Sequence, residues 1–249
     1  MVQFLFMTKS TASYVGSDLE AMASAPNYYR WVFSEIKSFL GTSTIVEAGA
    51  GSGNFLSLLL DAEAKEGSRT LIAIEPSVQM YSLLKRRFNG NERVRCEQGL
   101  FADVAPRYAG KFDTVLYINV LEHVEHDDVE LETVYESLPV GGHVCIFVPA
   151  LPFLYSRFDK EIGHYRRYTK RELEMRVRSA GFEIVKSRYF DIAGIIPWFV
   201  FIKLFRSSVT SGRAGLYDRV VVPLIRRIET YITPPIGKNV MVVGEKRTA

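Results

Sequence analysis

Apolar residues recur along this chain in two rhythms. Short continuous runs rich in Val, Ile and Leu alternate with longer stretches whose apolar positions fall three or four residues apart, the spacing of one helix face. The runs are Thr44–Ala48, Leu71–Ile74, one that begins at Val94 and ends near Gly99, Phe112–Ile118 and Val144–Val148. Between them lie helical patterns that open at Phe55, cover Met80, Leu83, Leu84 and Phe88, and run over Val129–Leu138. Strands that alternate with helices predict a mostly parallel α/β sheet covered on both faces. Ahead of them a helix is predicted over 18–40, capped by Asp18, with Ala21, Met22, Tyr28, Trp31, Ile36 and Leu40 as apolar positions and Gly41 as stop. Pro26 interrupts that pattern and allows two shorter helices.

The rhythm changes at Pro149. Residues 149–168 are rich in aromatic and charged side chains, and Thr169 then opens a helix that runs to Ala180, with Gly181 as its end. Glu183–Phe190 and Asn239–Glu245 read as strands. The interval between them is too long for a loop and must carry its own structure. It contains the apolar run Ile192–Phe205, then an amphipathic pattern over Tyr217–Ile232 with Val220, Val221, Leu224, Ile225 and Ile228 on one side. Arg206, Arg213, Arg219, Arg226 and Arg227 accompany it. Gly194, Pro197 and Lys203 and the short length argue against a transmembrane span.

Composition narrows this picture. The 47% hydrophobic content supports a large core, and the net charge of +3 is too small to mark a nucleic-acid binder. Cys96 and Cys145 lie in strand-like runs and read as core residues, and the four histidines have no zinc-finger spacing, so no metal is expected. Met1–Met7 lacks a basic flank and a cleavage site, which points away from a signal peptide and toward a cytoplasmic location.

The first candidate chemistry is the turn Glu47-Ala48-Gly49-Ala50-Gly51-Ser52-Gly53, between a strand and a helix. Glycines there permit sharp backbone angles and let a ligand approach the main chain. Glu75 ends the next strand, where a carboxylate can accept from ribose hydroxyls. A dinucleotide and S-adenosyl-L-methionine (AdoMet) both suit such a turn. Glu47 just before it would repel a pyrophosphate but suits a ligand carrying a sulfonium and an ammonium.

These residues resemble a known family. Val46–Gly53 looks like the first motif of class I AdoMet-dependent methyltransferases, and Ile74-Glu75-Pro76-Ser77 like the second. Phe112–Val124 resembles the fourth-strand motif, and Leu138-Pro139-Val140-Gly141-Gly142 the turn before strand five, with Val140 where proline is commoner. The resemblance covers about residues 20–150. It implies a Rossmann-like seven-stranded sheet of order 3-2-1-4-5-7-6 and a single domain over 1–249. Within it, 1–42 would form an N-terminal helical cap, 43–190 and 236–249 the AdoMet-binding core, and 191–235 a helical cap over the acceptor. It further implies that Glu47, Gly49, Ala50, Gly51 and Gly53 line the methionine part, and Glu75, Pro76 and Met80 the ribose side. Gly99, Leu100 and Phe101 would meet the adenine through the main chain, since Leu100 stands where many relatives carry an aspartate. Asn119 and Val120 would border the methyl group.

The segment Asp159–Thr169, with Gly163-His164-Tyr165-Arg166-Arg167-Tyr168, is similar to a subgroup of bacterial methyltransferases associated with glycan and lipid-glycan biosynthesis. His164 is a candidate general base, with His123 and Asp159 as further catalytic candidates; the alternative for His164 is a loop-orienting hydrogen bond. Arg166 and Arg167 are candidates to clamp a phosphate or carboxylate, with salt bridges to Glu172 or Glu174 as the alternative. Tyr28, Tyr155, Tyr165 and Trp198 complete the candidate acceptor contacts. The expected reaction is methyl transfer from AdoMet, leaving S-adenosyl-L-homocysteine, to an oxygen of a sugar, glycolipid or secondary metabolite. C- or N-methylation of an apolar ring, and a non-catalytic AdoMet- or nucleotide-binding role, stay open beside it. Residues 191–235 are expected to pack as a cap or dimer contact, or to receive a lipid-linked acceptor at an anionic membrane.

Overall fold

The computed structural model describes residues 25–66, 69–205 and 210–248. The predicted cap at Asp18, and Arg206, lie outside them. The first helix, α1, spans Pro26–Ile36. Pro26 stands in its first turn, where a missing N–H costs nothing, so this helix begins at the proline, as one of the shorter helices that Pro26 allowed.

Strand β1 (Thr44–Ala48) leads through the glycine turn to α2 (Asn54–Glu66). There follow β2 (Thr70–Glu75), α3 (Val78–Arg87), β3 (Val94–Gln98), α4 (Phe101–Val104), β4 (Thr114–Ile118), α5 (Asp127–Ser137) and β5 (His143–Pro149). A short helix α6 (Arg157–Glu161), α7 (Lys170–Ser179), β6 (Glu183–Phe190), α8 (Ser211–Tyr231) and β7 (Asn239–Glu245) complete the order. The seven strands form one sheet, ordered β3-β2-β1-β4-β5-β7-β6. β7 runs antiparallel to both of its neighbours and the other pairs are parallel. This is the Rossmann-like sheet and strand order expected.

Period-two alternation divides the core into two layers. On β5, Val144, Ile146 and Val148 pack with Phe101, Leu131, Val134, Leu173 and Val177. Cys145 and Phe147 face the other way, toward Trp31, Ile36, Leu56, Leu59, Val222 and Ile225. Burial pushes the Cys145 thiol up to about 12, which fits an inert core residue.

The segment between β6 and β7 is helical. A wide-turned stretch, Trp198–Leu204, precedes α8. α8 lies against α1, and the contact is polar at its centre. Asp218 of α8 accepts from the backbone amides of Asn27 (3.1 Å) and Tyr28 (2.8 Å). Those are first-turn donors that α1 itself does not satisfy, because Ala25 at the cap position has no acceptor side chain.

Candidate functional site

The turn after β1 runs through three left-handed glycines, Gly49 (φ 65°), Gly51 (φ 56°) and Gly53 (φ 81°). A Cβ on Gly49 would lie 2.7 Å from the Val120 methyls, and one on Gly53 2.4 Å from the Phe88 ring. A side chain at Gly49 or Gly53 would therefore be strained in its backbone and would also clash with its neighbours. Ala50 donates to the Ile74 carbonyl (3.0 Å), which ties the turn to the end of β2.

Glu75, at that end, is buried, and both its oxygens accept backbone amides. Oε2 takes Gly51 N–H and Oε1 takes Ser77 N–H, each at 2.8 Å. Burial raises its pKa and the two amides oppose that rise. Each oxygen keeps a second lone pair, so acceptance from ribose hydroxyls remains compatible with this geometry. Ser77 in turn caps α3 by accepting from Met80 N–H, which places buried Met80 behind Pro76. Gly99 (φ 147°) donates to the Glu75 carbonyl at 3.2 Å, and Leu100 precedes α4. The Phe101 ring turns inward against Phe112 and Tyr117, which leaves the main chain at this point to meet a ligand.

Glu47 lies on β1 and is only 4% exposed, and its Oε2 has no hydrogen-bond partner. Burial, and then the Glu75 charge, push it up to about 8. An orphaned buried acceptor beside a glycine cradle suits a cationic ligand group, and AdoMet carries two, the sulfonium and the ammonium. The residues present fit that cofactor.

A second polar cluster stands at the end of β4. Asn119 has φ 56°, donates to the Phe147 carbonyl at 2.7 Å, and turns the chain into Val120 and the short turn Leu121–His123. Glu122 is fully buried, and neither carboxylate oxygen has a hydrogen-bond partner. Burial pushes it up to about 7, against the pull of His164 and Arg167. The His123 and His164 rings meet edge to face, 4.5 Å between centroids. Burial, then the neighbouring His164, push His123 down to about 3, so it is neutral.

His164 Nδ1 lies 3.1 Å from Asp159 Oδ1. Asp159 is buried, yet hydrogen bonds from His164 and Ser156 and the Arg167 charge hold its carboxyl at about 2. It is therefore an acceptor only. The Nδ1 atom carries the proton that faces Asp159, and Nε2 points toward Glu122 Oε1 at 3.8 Å. Arg167 donates Nε and Nη2 to the same Asp159 oxygen, at 2.8 and 2.7 Å, and its guanidinium stacks 4.5 Å from the Trp198 ring. Tyr155 OH donates to the His164 carbonyl at 2.7 Å, and Tyr165 N–H to the Glu122 carbonyl at 2.8 Å.

Several predicted contacts have protein partners. Arg166 pairs with Asp127 (2.8 Å) rather than Glu172 or Glu174, and Glu172 instead closes the Thr169 cap. Arg167 is committed to Asp159 in the same way. The Tyr28 hydroxyl donates to Asn239 (2.9 Å), and its ring packs on Trp31 and Phe147. Tyr155, Arg167 and Trp198 gather around the Asp159–His164 pair, whereas Tyr28 belongs to the contact between α1 and the sheet. In the sequence Glu122 stood out only as the neighbour of His123 near the expected methyl-transfer position, a pair that the family resemblance marks as structural or cofactor-adjacent rather than catalytic.

An open seven-strand sheet with an antiparallel strand in sixth place, a glycine cradle at β1 and an orphaned acid beside it defines a class I AdoMet-dependent methyltransferase. A methyltransferase-domain family model matches residues 14–187, and the chain belongs to that family. S-adenosyl-L-methionine is the methyl donor of this class. None of the curated proteins matches the sequence. Among solved structures, a chain from the Haloferax volcanii complex with the Trm112 methyltransferase activator superposes with TM-score 0.66 at 16% identity, covering 96% of this chain and 99% of that one. A SAM-dependent methyltransferase from Archaeoglobus fulgidus gives 0.58 at 16%, covering 88% and 93%. The geranyl diphosphate C-methyltransferase of Streptomyces coelicolor A3(2), solved with Mg2+, geranyl-S-thiolodiphosphate and S-adenosyl-L-homocysteine, gives 0.59 at 16%, covering 86% and 74%. At these identities the likeness is one of fold.

Proposed function

We propose that this protein transfers a methyl group from AdoMet to a hydroxyl oxygen of a small molecule, with a sugar carried on a lipid as the leading acceptor class. The observation that carries the oxygen reading is the Asp159–His164 pair. It fixes the ring so that Nε2 faces away from Asp159 at the end of β4, beside the Asn119-Val120 turn that borders the glycine cradle. A hydroxyl needs help losing its proton, and a lone pair whose direction is fixed by a buried carboxylate supplies it.

When bound, AdoMet supplies a methyl group on a positively charged sulfur that is already activated for transfer. The protein's own tasks are then positional. Glu47 offers its unpartnered oxygen to the cofactor's positive end, Glu75 accepts from the ribose, and Gly49, Ala50, Gly51 and Gly53 let the ligand lie on the main chain. Gly99, Leu100 and Phe101 present backbone to the adenine. On the acceptor side, Tyr155 and Arg167 fix the loop that carries His164, and Trp198 closes over Arg167. Tyr165, about half exposed beside this cluster, is the aromatic surface offered to the acceptor.

The lipid-linked class is supported by the face of α8, which exposes a row of apolar side chains flanked by arginines. Titration calorimetry with AdoMet and S-adenosyl-L-homocysteine, followed by product formation on matched hydroxyl, amine and carbon acceptors, tests the reading. Binding with turnover on hydroxyls alone supports it. Turnover on amines or ring carbons would replace it with N- or C-methylation, and binding with no turnover on any acceptor would leave a sensing role.

A further inference from the structure

We infer that Glu122, His123 and His164 form a binding site for one divalent transition-metal ion of the zinc type, held in orientation by Asp159. One ring nitrogen of each histidine and one Glu122 oxygen lie within 4.8 Å of one another. His164 Nε2 and Glu122 Oε1 stand 3.8 Å apart. That is too long for a hydrogen bond, and close to the separation of about 3.3–4 Å expected for two ligands on one ion with bonds of about 2.0–2.1 Å.

Two further features point to a cation. Glu122 is fully buried and both its oxygens lack hydrogen-bond partners, a state that native interiors rarely leave uncompensated. The remaining observation is the Nδ1 contact of His164 with Asp159. A carboxylate that holds the far nitrogen of an imidazole is the arrangement that fixes the tautomer and raises the basicity of metal-bound histidines.

The donor set selects the ion. Two imidazoles and one carboxylate suit zinc, iron, cobalt or manganese better than magnesium or calcium, and three protein ligands leave a position open. The inference deepens the methyltransferase reading and rests on it for its role, though not for its existence. An acceptor hydroxyl in the open position would have its O–H bond broken on the ion, with the proton passing to solvent and the electron pair staying on oxygen. With the ion bound, the Nε2 lone pair of His164 is donated to the metal, so the ion replaces the imidazole as the group that deprotonates the acceptor.

The test uses the full chain, stripped with chelator and dialysed. Titration with Co2+ or Zn2+, followed by calorimetry and by the visible absorption of Co2+, should show about one equivalent bound. Glu122→Gln and His164→Ala should abolish that binding, and Asp159→Asn should weaken it roughly 10–100-fold. S-adenosyl-L-homocysteine binding by the stripped protein should survive, which separates failure of the metal site from failure of the cofactor reading. Absence of Co2+ and Zn2+ binding by the stripped wild type overturns the inference, and so does binding that the Glu122→Gln and His164→Ala variants retain. The wild-type titration decides the question even where a variant does not fold.

Discussion

Glu47 and Glu75 lie on neighbouring strands, and only one of them is satisfied by the protein. Glu75 spends both oxygens on Gly51 and Ser77 amides, whereas Glu47 has an oxygen with no partner and is pushed up to about 8. The sign of the consequence follows from proton linkage. Glu47 ionises near 4.5 in the unfolded chain and near 8 in the folded one, so between those values the native state holds a proton that the unfolded chain has released. Its contribution is fully present below pH 4.5 and is lost as pH rises through about 8. Glu47→Gln should flatten that part of the stability profile, measured by urea denaturation from pH 5 to pH 9. A positive ligand group placed against Glu47 reverses the preference. AdoMet binding near pH 7 should therefore release about one proton, seen as a calorimetric enthalpy that depends on the buffer's own ionisation heat. A buffer-independent enthalpy, or a Gln variant that still releases the proton, would remove Glu47 from the cofactor site. The sequence placed Glu47 beside the glycine turn, but it could not show which of the two acids was spent, since that depends on where the Gly51 and Ser77 amides point.

At the scale of elements, α1 depends on α8. Two amides in the first turn of α1 are held by Asp218, a buried carboxylate nearly two hundred residues away in sequence. Lys186 and Arg188 of β6 fasten the same helix through Glu35, and Arg188 also donates to the Glu229 carbonyl. Asp218→Ala should therefore cost about 1.5–3 kcal/mol, the range for hydrogen bonds to a charged group, with Asp218→Asn retaining part of it. Thermal unfolding checks this. An unchanged midpoint would mean that water replaces the carboxylate and that α8 contributes no capping. The strands were legible because β-branched runs and glycine stops write period two and turn chemistry directly into the chain. Their order came from the family resemblance. Pro26 marked a helix boundary in the sequence, and the first-turn amide partners of α1 show the side on which it stands. The Asp159–His164–Glu122 constellation was half legible. Its residues stood out by type, while their meeting required β4 and the loop after β5 to end side by side.

Among the described residues, α8 carries an apolar surface that is not packed against the core. α8 buries Val222 and Ile225 against the sheet and turns Leu216, Val220, Leu224 and Ile228 outward, 67%, 60%, 64% and 47% exposed and four residues apart. Both carboxylates of this helix, Asp218 and Glu229, are buried, so its exposed surface offers Arg213, Arg219 and Arg227 with no acid among them. The neighbouring stretch adds Ile196, Phe199, Phe201, Leu204 and Phe205, all exposed. No helix among the described residues is long and apolar enough to cross a membrane. An apolar row edged only by arginines instead fits an anionic bilayer surface, where each basic residue adds about 1 kcal/mol and the apolar side chains enter the headgroup boundary. The full chain should therefore co-sediment with vesicles containing phosphatidylglycerol and not with pure phosphatidylcholine, and the binding should weaken with salt. Val220→Asp combined with Leu224→Asp should abolish it while leaving AdoMet binding intact, because neither side chain enters the core. Failure to sediment with the anionic vesicles would sink the membrane role. Concentration-dependent dimerisation lost in the same double variant would assign this face to a second copy of the chain. In the expected case, bilayer contact also draws in the exposed stretch that follows Trp198, whose ring stacks on Arg167 beside the Asp159–His164 pair, so turnover on a lipid-linked sugar should rise with anionic lipid while turnover on the free sugar does not.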